Sequence, residues 1–139
     1  MKAHLQQIGD MKFRAQAEGS PAIVLHAPEG DAPQEAPSPV QACLLSAMAC
    51  TAADIVSILK KGRTPVTALE IDANADRAET HPKVFTKIRL HYRVHGKGLK
   101  ESAVARAIEL STERYCTVGV MLRRGGIAWE NTHEIIEEP

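Results

Sequence analysis

Between residues 40 and 59, fifteen of twenty positions are Ala, Val, Ile, Leu, Met or Cys; only Gln41, Ser46, Thr51, Asp54 and Ser57 interrupt them. A run of this length exceeds a strand and reads as helix. A helix apolar around most of its circumference has to be surrounded by other structure. Ser38-Pro39 supplies the start: a hydroxyl to cap the first turn, and proline at the first helical position, where its missing N–H costs nothing. The helix is expected to run to about Lys61, with Gly62 ending it. At about 30 Å it is long enough to cross a bilayer. The carboxylate of Asp54 near its middle and the capped start favour a buried helix of a soluble domain instead.

What surrounds this helix is mostly strand. Residues 11–17 alternate Met11, Phe13, Ala15 and Ala17 with Lys12, Arg14 and Gln16, the period of a half-buried strand on which Arg14 points away from Phe13. Residues 3–8 and 22–26 are expected to flank it as strands, giving a β-meander, and the proline-bearing stretch 27–39 is a loop. Alternation returns over 66–76 and 84–95, with His81-Pro82 in the connection of a long antiparallel hairpin. Residues 99–115 carry Leu99, Ala103, Val104, Ala107, Ile108 and Leu110 at helical spacing, an amphipathic second helix. Residues 116–122 read as a short helix or a strand, and a last strand is expected near 126–136. The order is β-β-β-α-β-β-α-(α)-β, an α+β class with one domain over residues 1–139.

Charge and composition narrow the function. Seventeen basic residues balance seventeen acidic ones without a long block of either sign, and aromatics are 4% of the chain. Neither a phosphate-tracking surface nor a base-stacking platform is expected, so nucleic acid is a poor partner. Gly96-Lys97-Gly98 and Arg123-Arg124-Gly125-Gly126 lack the strand–loop–helix setting of a phosphate cradle and read as turns. The N-terminal residues lack the apolar core and cleavage site of a secretory signal, so a cytoplasmic protein is expected, with no membrane association.

The three cysteines, Cys43, Cys50 and Cys116, are too few and odd in number for a secreted disulfide scaffold. Cys43 and Cys50 are seven residues apart on one helix, about 10.5 Å along its axis. That is too far for a disulfide. Cys116 is left as the possible partner of either. For zinc the chain lacks C-x-x-C, and its six histidines are scattered. His91 and His95 share a strand face at about 13 Å. They read as a solvated sheet face, and neither metal nor bound cofactor is expected.

The run from Ser38-Pro39-Val40-Gln41-Ala42-Cys43 through Ala49-Cys50 and Asp54-Ile55-Val56-Ser57-Ile58-Leu59-Lys60-Lys61 resembles the central helix of the OsmC/Ohr family, in a divergent subgroup. The resemblance continues through Phe85-Thr86-Lys87-Ile88 and Val104-Ala105-Arg106-Ala107-Ile108-Glu109-Leu110-Ser111 to Tyr115-Cys116. It covers residues 38–122; the first 37 residues match in strand layout. It implies an intertwined homodimer with a long buried central helix, two sites at the subunit interface, and a cysteine pair that reduces organic or lipid hydroperoxides in oxidative-stress defence. Cys50 takes the place of the peroxidatic cysteine and Cys116 that of the resolving one, with an external dithiol as reductant.

The chemistry needs a pair because thiolate attack on a peroxide gives a sulfenic acid, which a second thiol converts to a disulfide before over-oxidation. It also needs a cation, since a thiol at its ordinary pKa is only about 3% ionised at pH 7. In the family an arginine from the N-terminal β region serves, held by a glutamate ten residues before the peroxidatic cysteine. Here that position is Val40, beside Gln41. Arg14 is the candidate arginine, and Glu35 in the loop is the candidate substitute carboxylate. Cys43 reads as a small core residue. Asp54, one turn after Cys50, either orients a polar network or meets water, and facing the Cys50 sulfur it would raise that thiol's pKa. The competing reading is a noncatalytic dimer that holds a small apolar ligand, with the cysteines as packing residues; Val40 in place of glutamate is the feature that speaks for it.

Overall fold

The computed structural model describes residues 1–64 and 66–139. Their contacts divide the chain into two compact units, Met1–Leu45 and Ser46–Pro139, with one helix running out of the first into the second. The first unit holds an antiparallel meander: β1 (Ala3–Gly9), β2 (Lys12–Ala17) and β3 (Ile23–His26), in that spatial order. Phe13 and Ala15 on β2 are half-buried and Arg14 between them is exposed, as the alternation requires. The loop that follows is tied back to the sheet. His26 N–H donates to the Pro37 carbonyl at 3.0 Å, the Glu35 N–H donates to His26 Nδ1 at 3.0 Å, and Lys12 pairs with Glu35.

Helix α1 spans Pro39–Lys61. Its start is a reciprocal capping box: Gln41 N–H donates to Ser38 Oγ at 3.1 Å, and Ser38 N–H to Gln41 Oε1 at 2.9 Å. Lys60 and Lys61 in the last turn complement the negative end of the helix dipole. Ala47, Thr51, Ile55 and Leu59, spaced by four, are its fully buried stripe. The expectation of a helix enclosed on most sides is met only along that stripe in the single chain. Leu45 and Val56 lie exposed on its other side, and Val40, in line with the stripe, is exposed in the first turn.

The second unit is built on β4 (Val66–Arg77), β5 (Phe85–Gly96) and β6 (Ala128–Glu137). β4 and β5 form the expected antiparallel hairpin, while β6 pairs parallel to the other edge of β5. β5 is therefore the central strand, and Ile88, Leu90, Tyr92 and Val94 alternate into the core. The opposite face carries Arg89, His91, Arg93 and His95, paired with Asp76, Thr132, Asp72 and Glu70 respectively. Helix α2 (Glu101–Leu110) buries Val104, Ala107 and Ile108. It does not continue as α-helix to residue 115. Ser111–Tyr115 form a π-helical turn, and α3 (Thr117–Arg124) then resolves residues 116–122 as helix rather than strand.

Candidate active site

Cys50 and Asp54 stand one turn apart on α1, on neighbouring positions of one face. The wider π-helical turn delivers the third group: Cys116 N–H donates to the Ser111 carbonyl at 2.8 Å, closing the turn and ending the helix. Cys116 then adopts extended backbone (φ −72°, ψ 93°) and caps α3, its Sγ accepting from Gly119 N–H at 3.2 Å. A Cβ at position 119 would come within 3.0 Å of that sulfur, so glycine is what allows the close approach. The result is that the Cys50 and Cys116 sulfurs and an Asp54 carboxylate oxygen lie within 4.8 Å of one another. All three cysteines are free thiols.

The two sulfurs differ in environment. Cys50 is half-buried, whereas Cys116 is 2% exposed. Burial pushes the Cys116 thiol up to about 11; the neighbouring Cys50 and the Asp54 charge push the same way, and the Gly119 N–H opposes them. At neutral pH Cys116 is therefore a protonated thiol. The sequence sets Asp54 beside Cys50; in the structure its charge acts on the Cys116 thiol.

Behind the carboxylate runs a buried chain of hydroxyls. Ser111 Oγ donates to Asp54 Oδ2 at 3.0 Å, and Thr51 Oγ1 lies 2.8 Å from Ser111 Oγ. Because a hydroxyl has one proton, Ser111's bond to the carboxylate makes Thr51 the donor to Ser111. Tyr92 OH sits 3.3 Å from Thr51 Oγ1 and donates to Asn131 Oδ1 at 3.2 Å. Asn131 also receives Trp129 Nε1 at 3.2 Å and donates to Thr112 Oγ1 at 2.7 Å. Burial raises the Tyr92 phenol to about 12, so it stays a proton carrier in this chain. Ser111, Thr51, Tyr92 and Asn131 were not singled out as site residues from the sequence. Their one signal is polar atoms on otherwise apolar faces, Thr51 above all.

A cleft of about 500 Å³ opens beside the carboxylate, lined by Asp54, Ser57, Ile58, Lys61, Leu110 and Tyr115. Its walls combine apolar side chains with one cation and one anion.

The other predicted residues lie in the first unit. Arg14 is exposed on β2, with Nη1 donating to Gln16 Oε1 at 3.3 Å. Glu35 gives its carboxylate to Lys12, which holds it below the usual carboxylate range, so the pairing with Arg14 expected of a substitute carboxylate is not made. Val40 lies exposed in the first turn of α1, and the neighbouring Gln41 serves the cap. Cys43 is half-buried rather than a core residue.

Known proteins resemble the chain in sequence and fold. The family described as OsmC-like protein matches residues 30–130. Protein YhfA of Escherichia coli K12 is 40% identical over 124 residues, 89% of this chain and 90% of YhfA. A hypothetical protein from Aquifex aeolicus superposes with a TM-score of 0.85 at 28% identity, covering 99% of this chain and 97% of its own. An organic hydroperoxide resistance protein OsmC from Legionella pneumophila, 17% identical, shares the fold with a TM-score of 0.68 over 96% of this chain and 95% of its own.

Proposed function

The chain belongs to the OsmC-like family, and from that premise we propose that it is a thiol-dependent peroxidase that reduces organic hydroperoxides through Cys50 and Cys116. The observation that carries this reading is the convergence of two free sulfurs, from distant parts of the chain, within 4.8 Å beside a carboxylate. The hydroperoxide resistance named for the Legionella neighbour supports it.

The roles follow from exposure. Cys50, the more accessible sulfur, attacks the terminal oxygen of the hydroperoxide as a thiolate. The O–O bond breaks, the sulfur becomes a sulfenic acid, and the alkoxide leaves and is protonated to an alcohol. The Cys116 sulfur then attacks the Cys50 sulfur, the S–S bond forms, and water departs with the sulfenic hydroxyl and the Cys116 proton. Since Cys116 is a thiol at neutral pH, that proton must be taken as the bond forms. Asp54, held by Ser111 beside the sulfur, takes it and passes it to the departing hydroxyl, which leaves as water. An external dithiol restores both thiols by exchange and leaves as its own disulfide. Arg14 supplies the positive charge that the Cys50 thiolate needs, by the family pattern. The apolar walls Ile58, Leu110 and Tyr115 suit a small hydrophobic hydroperoxide, with Lys61 and Ser57 free to meet its polar end.

The protein acts as a cytoplasmic homodimer. The exposed Leu45 and Val56, eleven residues apart on one face of an apolar helix, are the surface a second copy would cover. The test is cumene hydroperoxide consumption with dithiothreitol as reductant. Cys50→Ser falls to background, Cys116→Ser loses sustained turnover, and Cys43→Ser keeps wild-type rate. Undiminished consumption by Cys50→Ser would overturn the proposal and leave the noncatalytic apolar-ligand dimer as the reading.

A further inference from the structure

The same three side chains have a second chemistry that does not depend on peroxide. Two thiol sulfurs and a carboxylate oxygen within 4.8 Å of one another form a donor set of the borderline-soft kind that selects zinc over magnesium or calcium. In a tetrahedral zinc site with Zn–S bonds of about 2.3 Å, ligand atoms stand roughly 3.7 Å apart. The cluster thus needs to contract by about 1 Å at most, within reach of side-chain rotation.

Supporting contacts are already made. Ser111 Oγ fixes Asp54 Oδ2 at 3.0 Å, leaving the other carboxylate oxygen for a metal, and Gly119 N–H steadies the Cys116 sulfur at 3.2 Å. Two of the three donors are on one helix turn and the third on the rigid cap of another helix, so the site is built on regular elements. Three protein donors leave one position for a water from the cleft that Asp54 lines, the pattern of an exchangeable site rather than a closed structural one. The linear spacing hid this: one helical i, i+4 pair plus a cysteine from a distant segment matches no contiguous zinc signature, and no metal was expected from the sequence.

We propose that reduced Cys50, Cys116 and Asp54 bind one Zn²⁺ ion per chain. Binding replaces the thiol protons, which pass to solvent, and involves no change of oxidation state. A disulfide between the same sulfurs removes both ligands, so zinc binding and oxidation exclude each other. Zinc therefore caps the reduced pair, and oxidation releases it. Zinc binding by the reduced site rests on the geometry alone, and its exclusion by oxidation rests on the proposed Cys50–Cys116 couple.

The test titrates fully reduced full-length protein with ZnCl₂ against a chromophoric chelator, and with CoCl₂ for its thiolate-to-cobalt charge-transfer absorption. One Zn²⁺ per chain is expected, with the absorption present. Cys50→Ser and Asp54→Asn should lower affinity at least tenfold, and Cys43→Ser should leave it unchanged. Diamide-oxidised wild type, which needs no variant to fold, should bind no zinc. A missing charge-transfer band, affinity undiminished in Cys50→Ser, or equal binding by the oxidised protein would each overturn the proposal. Peroxide consumption in zinc-free buffer is a separate readout, so failure of one does not decide the other.

Discussion

Two strands show how differently the two units are organised. β5, central in its sheet, buries Ile88, Leu90, Tyr92 and Val94 on one face and pairs its other face with charged neighbours. β1, at the edge of the N-terminal sheet, buries no residue along its length, and Leu5 is left 55% exposed. On β3, Ile23 is 58% exposed. Both sheets have three strands, so strand number is not the difference. β5 has a sheet neighbour on each side and a core filled by its own unit; the meander does not fill one. The candidate site is accordingly backed by a filled core: Thr51, Tyr92, Ser111 and Cys116, which hold or form it, belong to the fully buried set, while Cys50 and Asp54 are half-buried. Burial is what makes its polar chain exacting, because each hydroxyl there must find a partner inside the protein.

This contrast can be broken by substitution. Ile55→Ala, in the buried stripe of α1, is expected to cost about 2–5 kcal/mol in chemical denaturation. Ile23→Ala on the meander should cost under about 1 kcal/mol. A comparable loss at Ile23, deepening on dilution, would show that a second chain covers the N-terminal sheet in solution. Next in size, Ser111→Ala removes the bond to Asp54 and the shorter of the two Thr51 contacts, leaving Thr51 only Tyr92 at 3.3 Å, and should destabilise by about 1–3 kcal/mol. Thr86→Ala, exposed on β5, serves as its near-neutral control.

The buried thiol gives the contrast a pH signature. The folded Cys116 pKa, about 11, lies above its ordinary value of 9.0. Below pH 9 the thiol is protonated in both states and its contribution is intact. Between pH 9 and 11 the unfolded chain releases the proton first, so stability falls as pH rises. Melting temperature against pH should therefore drop over that window, and Cys116→Ala should make the drop shallower, most clearly between pH 9 and 10, below the range in which the raised Tyr92 phenol adds its own fall. A modest effect is expected at the start of α1, where Ser38→Ala breaks the capping box and should cost about 1 kcal/mol by the same denaturation.

Much of this fold can be read from residue patterns. The apolar run beginning at Ser38-Pro39 gives α1 its extent, and the alternation Ile88, Leu90, Tyr92, Val94 gives β5 its inward face, because each pattern is a local consequence of backbone period. The parallel docking of β6 on β5 is not local: its alternation is the same whichever strand it joins. The π-helical turn escapes notice for a similar reason, since Ser111-Thr112-Glu113-Arg114-Tyr115 continues a helical pattern and only the hydrogen bond from Cys116 to Ser111 separates the two. The meeting of Cys50 with Cys116 came from family resemblance; spacing had left Cys43 and Cys50 as equal partners. Asp54 stood out as a charge in an apolar helix, yet its partner Ser111 lies in another segment, where no periodicity marks it.

The central claim is that Cys50 and Cys116 form one redox couple. Its most direct test is the intact mass of reduced protein before and after one equivalent of cumene hydroperoxide, with Cys50→Ser and Cys116→Ser alongside. The account predicts loss of the two thiol hydrogens in wild type, a single added oxygen trapped as sulfenic acid in Cys116→Ser, and no change in Cys50→Ser. Wild-type protein that keeps its reduced mass, or a Cys50→Ser variant that reacts as wild type does, would contradict it.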